Sequence, residues 1–166
     1  TALNLDEFIA AQPNSSEITY AIGGGGHTGF FNNKYIKRLD ERGLPDDDLT
    51  SPLNYRVIRW ADVLLMAAEA FQRSGNDGRA RTELNKVRSR VSMPAINSSG
   101  DALYQAILQE RRFELSGEGY RFFDLVRTGQ AASRISGFVT GKHELFPIPQ
   151  VEIDLAGGIW NQNPGY

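Results

Sequence analysis

The chain has 166 residues, 40 % of them apolar and 23 % charged, which suits one globular domain and argues against a disordered chain. A formal net charge of −2 offers no electrostatic case for nucleic acid or an anionic membrane as partner. Cysteine is absent, which excludes disulfides and cysteine-ligated metal, and no run of about 18 apolar residues is present to span a bilayer.

Residues 1–54 read as loop-rich. Gly23 to Gly26, Asn32-Asn33, Pro45 with three aspartates, and Ser51-Pro52 punctuate the zone. Short extended pieces are expected at 18–22 and 30–36. Residues 55–128 read as a helical core. The first helix, 56–74, carries Val57, Ile58, Trp60, Val63, Leu64, Leu65, Ala68 and Phe71 around most of its circumference. That pattern predicts a central helix buried on several sides, with Trp60 in the core. Gly75 is placed to end it. A second helix, 78–91, has Ala80, Leu84, Val87 and Val91 on one stripe. The short turn between them predicts an antiparallel hairpin of tetratricopeptide-like length, about 34 residues. A third helix spans 101–115, with Asp101 as its expected N-cap. Gly117 and Gly119 interrupt the pattern, and a fourth, short helix covers 120–128. Residues 129–166 read as an irregular C-terminal segment containing Pro147, Pro149 and Pro164.

The third helix holds the densest chemistry. Leu103, Ile107, Glu110 and Glu114 fall on one side of it, so two carboxylates lie along an apolar stripe. Burying a carboxylate costs several kcal/mol, about 3–5, unless it is paired. The pair could serve acid–base chemistry, as in glycoside hydrolysis. It could hold metal in a bundle, but the Glu-x-x-His spacing is missing and the histidines, His27 and His143, lie in loop zones. The favoured reading is a buried ion-pair network with Arg59, Arg88, Arg111 or Arg121, because arginine is plentiful in the neighbouring helices. Gly23 to Gly26 is not a phosphate loop, since His27-Thr28 follows where Lys-Ser/Thr is required. No Gly-x-Ser-x-Gly elbow accompanies the histidines. Aromatic side chains in the loop zones offer the chemistry of sugar capture, in which a ring face meets pyranose C–H groups and polar neighbours bond the hydroxyls. Tyr20, Phe31, Tyr35, Tyr55 and Trp160 are the candidates, each weighed against simple packing.

Four segments, in order, carry a resemblance. They are Tyr55-Arg56-Val57-Ile58-Arg59-Trp60-Ala61-Asp62-Val63-Leu64-Leu65; Leu84-Asn85-Lys86-Val87-Arg88-Ser89-Arg90 with Met93-Pro94; Glu110-Arg111-Arg112-Phe113-Glu114-Leu115 leading to Glu118-Gly119-Tyr120-Arg121-Phe122-Phe123-Asp124-Leu125-Val126-Arg127; and Leu145-Phe146-Pro147-Ile148-Pro149 ending in Gln162-Asn163-Pro164-Gly165-Tyr166. Together they resemble the C-terminal portion of the SusD/RagB family. The resemblance implies a mainly α fold of tetratricopeptide-like helix pairs with long irregular loops and few or no strands. It implies a non-catalytic protein without cofactor or metal, which binds oligosaccharides or other nutrients. The implied partner is a SusC-like, TonB-dependent outer-membrane transporter. The implied location is the outer-membrane surface, by a lipid anchor upstream of this chain. Arg59, Asp62, Glu69, Glu110, Arg111, Glu114, Arg121 and Asp124 would then form a structural ion-pair network. The hairpin length keeps a second function open, a helical protein-interaction scaffold without sugar binding.

Overall fold

The computed structural model describes residues 2–11, 28–32, 34–35 and 53–166. Tyr20, the extended piece expected at 18–22, Gly23 to Gly26 and His27 lie outside the described residues. The chain forms two compact units, Thr1–Glu118 and Gly119–Tyr166.

The first unit opens with β1 (Ala2–Asn4) and α1 (Leu5–Ala10). The Asn4 side chain caps α1 by accepting from the Asp6 N–H, and Asp6 and Glu7 place negative charge in its first turn. This six-residue helix stands in a zone that reads as loop, because fewer than two turns are too short to show periodicity. β1 pairs antiparallel with β2 (Phe30–Asn32), with Leu3 opposite Phe31. The strand expected over 30–36 is thus confined to its first three residues among those described.

Three helices then build the core: α2 (Trp60–Arg73), α3 (Asp77–Ser89) and α4 (Gly100–Glu114). The α2–α3 connection is short, with Gly75 at a φ of 80°, a left-handed turn that glycine adopts without a Cβ penalty. The expected helix pair is therefore present. Leu64, Leu65 and Ala68 of α2 meet Ala80, Leu84 and Val87 of α3 and Leu103 and Ile107 of α4. Each fully buried leucine or isoleucine here stabilises the unit by roughly 1.5–3 kcal/mol.

Two expectations about these helices are corrected. Helix α2 starts at Trp60 rather than at residue 56, because Arg59 is extended (φ −134°, ψ 161°). Trp60 is consequently the first helical residue, not mid-helix, and is 70 % exposed. The helix buries one side only, through Asp62, Leu64, Leu65 and Ala68, while Trp60, Val63 and Met66 point away from it. Apolar content all round a helix does not say how many neighbours it meets. The second correction concerns α4, whose N-cap is Ser99, with Asp101 inside the first turn. The work expected of Asp101 falls to Asp77 from α3, whose carboxylate accepts from the Gly100 N–H at 2.6 Å.

Side chains of α3 also hold the segment leading to α4. The Asn85 amide accepts from the Ile96 N–H (2.8 Å) and donates to the Ile96 carbonyl (3.0 Å), as a strand neighbour would. Arg88 Nε donates to the Pro94 carbonyl at 2.8 Å. In the Leu-Asn-x-Val-Arg segment, leucine and valine face the core while asparagine and arginine fasten the loop.

The second unit contains α5 (Arg121–Arg127), α6 (Ala131–Arg134) and α7 (Gln150–Leu155). The last two are helices of four and six residues within the zone that reads as irregular. Gln162 exchanges two hydrogen bonds with the Ile148 backbone, at 2.7 and 2.8 Å. Asn163 Nδ2 donates to the Phe146 carbonyl, and the Tyr166 hydroxyl donates to the Leu145 carbonyl. The terminal Gln-Asn-Pro-Gly-Tyr is thereby docked on the Leu-Phe-Pro-Ile segment.

Candidate functional site

The extended backbone at Arg59 aims its guanidinium at the C-terminal end of α4. Nε and Nη2 donate to the two oxygens of Glu118, both at 2.8 Å. Nη1 donates to Glu114 Oε1, and Nη2 also donates to the Glu114 carbonyl, both at 2.5 Å. One planar fork thus spans two carboxylates and the Glu114 carbonyl at the end of a helix, which an ammonium could not do. Lys34 Nζ adds a hydrogen bond to Glu118 Oε1 and another to the Glu114 carbonyl. From α3's end, Arg90 Nη2 donates to both Glu114 oxygens, at 2.7 and 2.8 Å. Burial pushes the Glu118 carboxyl up, but the hydrogen bonds from Arg59 and Lys34 outweigh it and hold the group below its usual value. The hydrogen bond to Glu118 raises Arg59 in return, against the opposing effect of burial.

A turn away along α4, Glu110 accepts from Arg88 Nη1 at 2.5 Å, and Arg111 donates to Asp62 at 2.8 Å. Both side chains of the Arg111–Asp62 pair are at most 5 % exposed. Glu110 and Glu114, the two carboxylates on the apolar stripe, therefore each face arginine. Neither carboxylate is left without a cationic partner, which is the arrangement of a structural ion-pair network.

The remaining residues singled out in the sequence are dispersed. Glu69 is half-buried on α2. Arg121 stands at the exposed start of α5 and makes no ion pair among the described residues. Asp124 is buried and accepts from Arg127 one turn on, at 2.9 Å. Among the aromatic candidates, Tyr35 and Tyr55 are brought together, their rings stacked with centroids 6.1 Å apart and planes 27° from parallel. Phe31 is exposed on β2, and Trp160 is exposed in the second unit.

A cavity of about 340 Å³ lies against this arrangement, lined by Lys34, Tyr35, Arg56, Arg59, Arg90, Glu114 and Glu118. Tyr35 forms part of its wall, and Tyr55, which is 67 % exposed, stacks on Tyr35. Among the described residues, four cations and two carboxylates with a tyrosine pair make a polar, partly aromatic recess. Its described residues can stack one ring face and bond hydroxyl or anionic groups, and every carboxylate among them is ion-paired. Lys34, Arg56, Arg90 and Glu118 were not singled out as site residues in the sequence. Glu118, set between Gly117 and Gly119, reads there as part of a helix break. Only the return of the chain past α2 shows that the break delivers a carboxylate to Arg59.

Known proteins with related sequences and structures bear on this geometry. The SusD family model matches residues 14–144. A SusD-like protein of Formosa agariphila is 38 % identical over 98 residues, covering 53 % of this chain and 19 % of the relative. A SusD homolog from Bacteroides thetaiotaomicron superposes with a TM-score of 0.62 at 36 % identity, over 67 % of this chain and 25 % of that one. Surface glycan-binding protein A from Bacteroides uniformis superposes with a TM-score of 0.66 at 32 % identity, over 83 % of this chain and 33 % of that one. The chain thus spans about a fifth to a third of the length of these relatives.

Proposed function

This chain belongs to the SusD family, and from that premise we propose that it takes part in non-catalytic capture of oligosaccharides or related nutrients at the bacterial outer-membrane surface. The observation that carries this reading is the recess beside the stacked Tyr35–Tyr55 pair, whose described residues offer aromatic and hydrogen-bonding surface with their carboxylates ion-paired. The glycan-binding name of the Bacteroides uniformis relative supports the same class of ligand. In this reading the whole protein is held at the surface by a lipid anchor upstream of this chain. It passes ligand to a SusC-like, TonB-dependent transporter. The ion-paired charges at the start of α2 and the end of α4 act as a scaffold that fixes the recess.

Tryptophan-fluorescence titration of the 166-residue chain and of the intact protein against an oligosaccharide panel tests the reading, with chromatography of each mixture for cleavage products. Binding without cleavage, weakened by Tyr55→Ala, is expected. Cleavage of any oligosaccharide, or silence towards the whole panel, overturns it. A second reading, a protein-interaction scaffold, draws on the exposed Trp60, Val63 and Met66 of α2. It is favoured if a protein partner co-purifies and survives alanine substitution of Tyr35 and Tyr55.

A further inference from the structure

Resting on the glycan reading above, we infer that the recess beside Tyr35 prefers an acidic saccharide, a pyranose bearing a carboxylate or a sulfate, over a neutral one. Among the described residues the recess is lined by four cations, Lys34, Arg56, Arg59 and Arg90, against two carboxylates, Glu114 and Glu118. The carboxylates are already taken. Both oxygens of Glu118 accept from Arg59, and Oε1 from Lys34 as well. Both oxygens of Glu114 accept from Arg90, and one of them also from Arg59.

That leaves an excess of positive charge at the opening. Arg56 is exposed and makes no hydrogen bond or ion pair among the described residues. The Arg90 side chain is 59 % exposed and engages Glu114 through Nη2, leaving Nε and Nη1 as donors. A neutral sugar has no use for such an excess, because its hydroxyls are served as well by amides and paired ions. A planar carboxylate or a sulfate matches the fork of a guanidinium and relieves the mutual repulsion of the cations. The stacked tyrosines argue that the anion is carried on a ring: Tyr35 lines the recess and Tyr55, next to Arg56 in the chain, extends the aromatic surface. Ring stacking and anion recognition are thus supplied by adjacent residues of one segment.

Calorimetric titration of the intact protein tests the preference. The probes are oligogalacturonate, oligomannuronate and a sulfated galactan fragment, each beside its neutral counterpart made by methyl esterification or desulfation, with inorganic sulfate as the ion alone. At least one acidic probe should bind about tenfold or more tightly than its neutral counterpart, and its affinity should fall as salt shortens the screening length from about 10 to about 3 Å. Arg56→Gln should weaken that acidic probe about tenfold and leave neutral probes unchanged. Tyr55→Ala should weaken the acidic sugar more than it weakens sulfate. Arg56 and Tyr55 are both exposed, so each variant should fold, and circular dichroism verifies that. Neutral probes bound as tightly as acidic ones would overturn the inference and leave the glycan reading standing. So would acidic binding indifferent to Arg56→Gln, and so would sulfate bound as tightly as the acidic sugar, which would mark an ion site only. Silence towards every saccharide would overturn the inference and the glycan reading together.

Discussion

Arg59→Met removes one side chain from a network that joins the start of α2 to the end of α4. The lost guanidinium makes two hydrogen bonds to Glu118, one to the Glu114 carboxylate and one to its carbonyl. Glu118 keeps Lys34, and Glu114 keeps Arg90, so neither carboxylate is stranded. Removing one partner of a fully buried pair costs about 3–5 kcal/mol, and an exposed pair about 0–1 kcal/mol. The Arg59 side chain is 22 % exposed and the Glu118 side chain 3 %, so the geometry lies nearer the buried limit, softened by the surviving partners. The expected loss is about 2–3 kcal/mol, a fall in melting temperature of roughly 10 °C. Arg59→Lys keeps the charge but cannot span both carboxylates, and about half the loss is expected. Urea denaturation followed by circular dichroism at neutral pH measures both. A loss below about 0.5 kcal/mol for Arg59→Met would show that the pairs contribute no more than exposed ones, and the account of the α2–α4 junction would fail.

The same junction predicts acid sensitivity. The Glu118 carboxyl is held below its ordinary value near 4.5, so its contribution is fully present above that value and is lost as pH falls through the lower folded one. Thermal melts of the parent should steepen in pH dependence below that point, and Glu118→Gln should flatten the profile there; an unchanged profile in the variant would refute the assignment. Glu110→Gln leaves the Arg88 charge short of its carboxylate and should cost about 1–3 kcal/mol with oligosaccharide binding retained. Saccharide-cleaving activity in the parent that disappears in a stably folded Glu110→Gln would instead mark Glu110 as a catalyst. Gly117→Ala should destabilise by about 1–2 kcal/mol, because Gly117 has a φ of +77° and a new Cβ would lie 2.5 Å from the Asn32 amide nitrogen. A melting temperature within a degree or so of the parent's would count against that turn.

The helices were legible because their evidence is local. The Ala80-Leu84-Val87 stripe states one buried face of α3, and Gly75 states where α2 must stop. The family motifs are legible too, and the arginines and carboxylates they contain read as partners from the sequence alone. The specific pairing is not. Glu114 meets Arg59 and Arg90, Glu110 meets Arg88, and Arg111 meets Asp62. Those choices depend on how three helices rotate and slide against one another, which no periodicity encodes. Trp60 shows the same limit from the apolar side. Hydrophobicity stated what α2 could bury, but an extended Arg59 set where the helix begins, and the positions of α3 and α4 set which side was covered. The recess required most from tertiary structure. Lys34 and Tyr35 are some eighty residues from Glu114 and Glu118 in the chain, and only folding places a tyrosine pair beside a surplus of arginine. Local sequence determined the helices and the supply of charges. Long-range packing decided which charges are paired with which, because electrostatic pairing and burial act through space rather than along the chain.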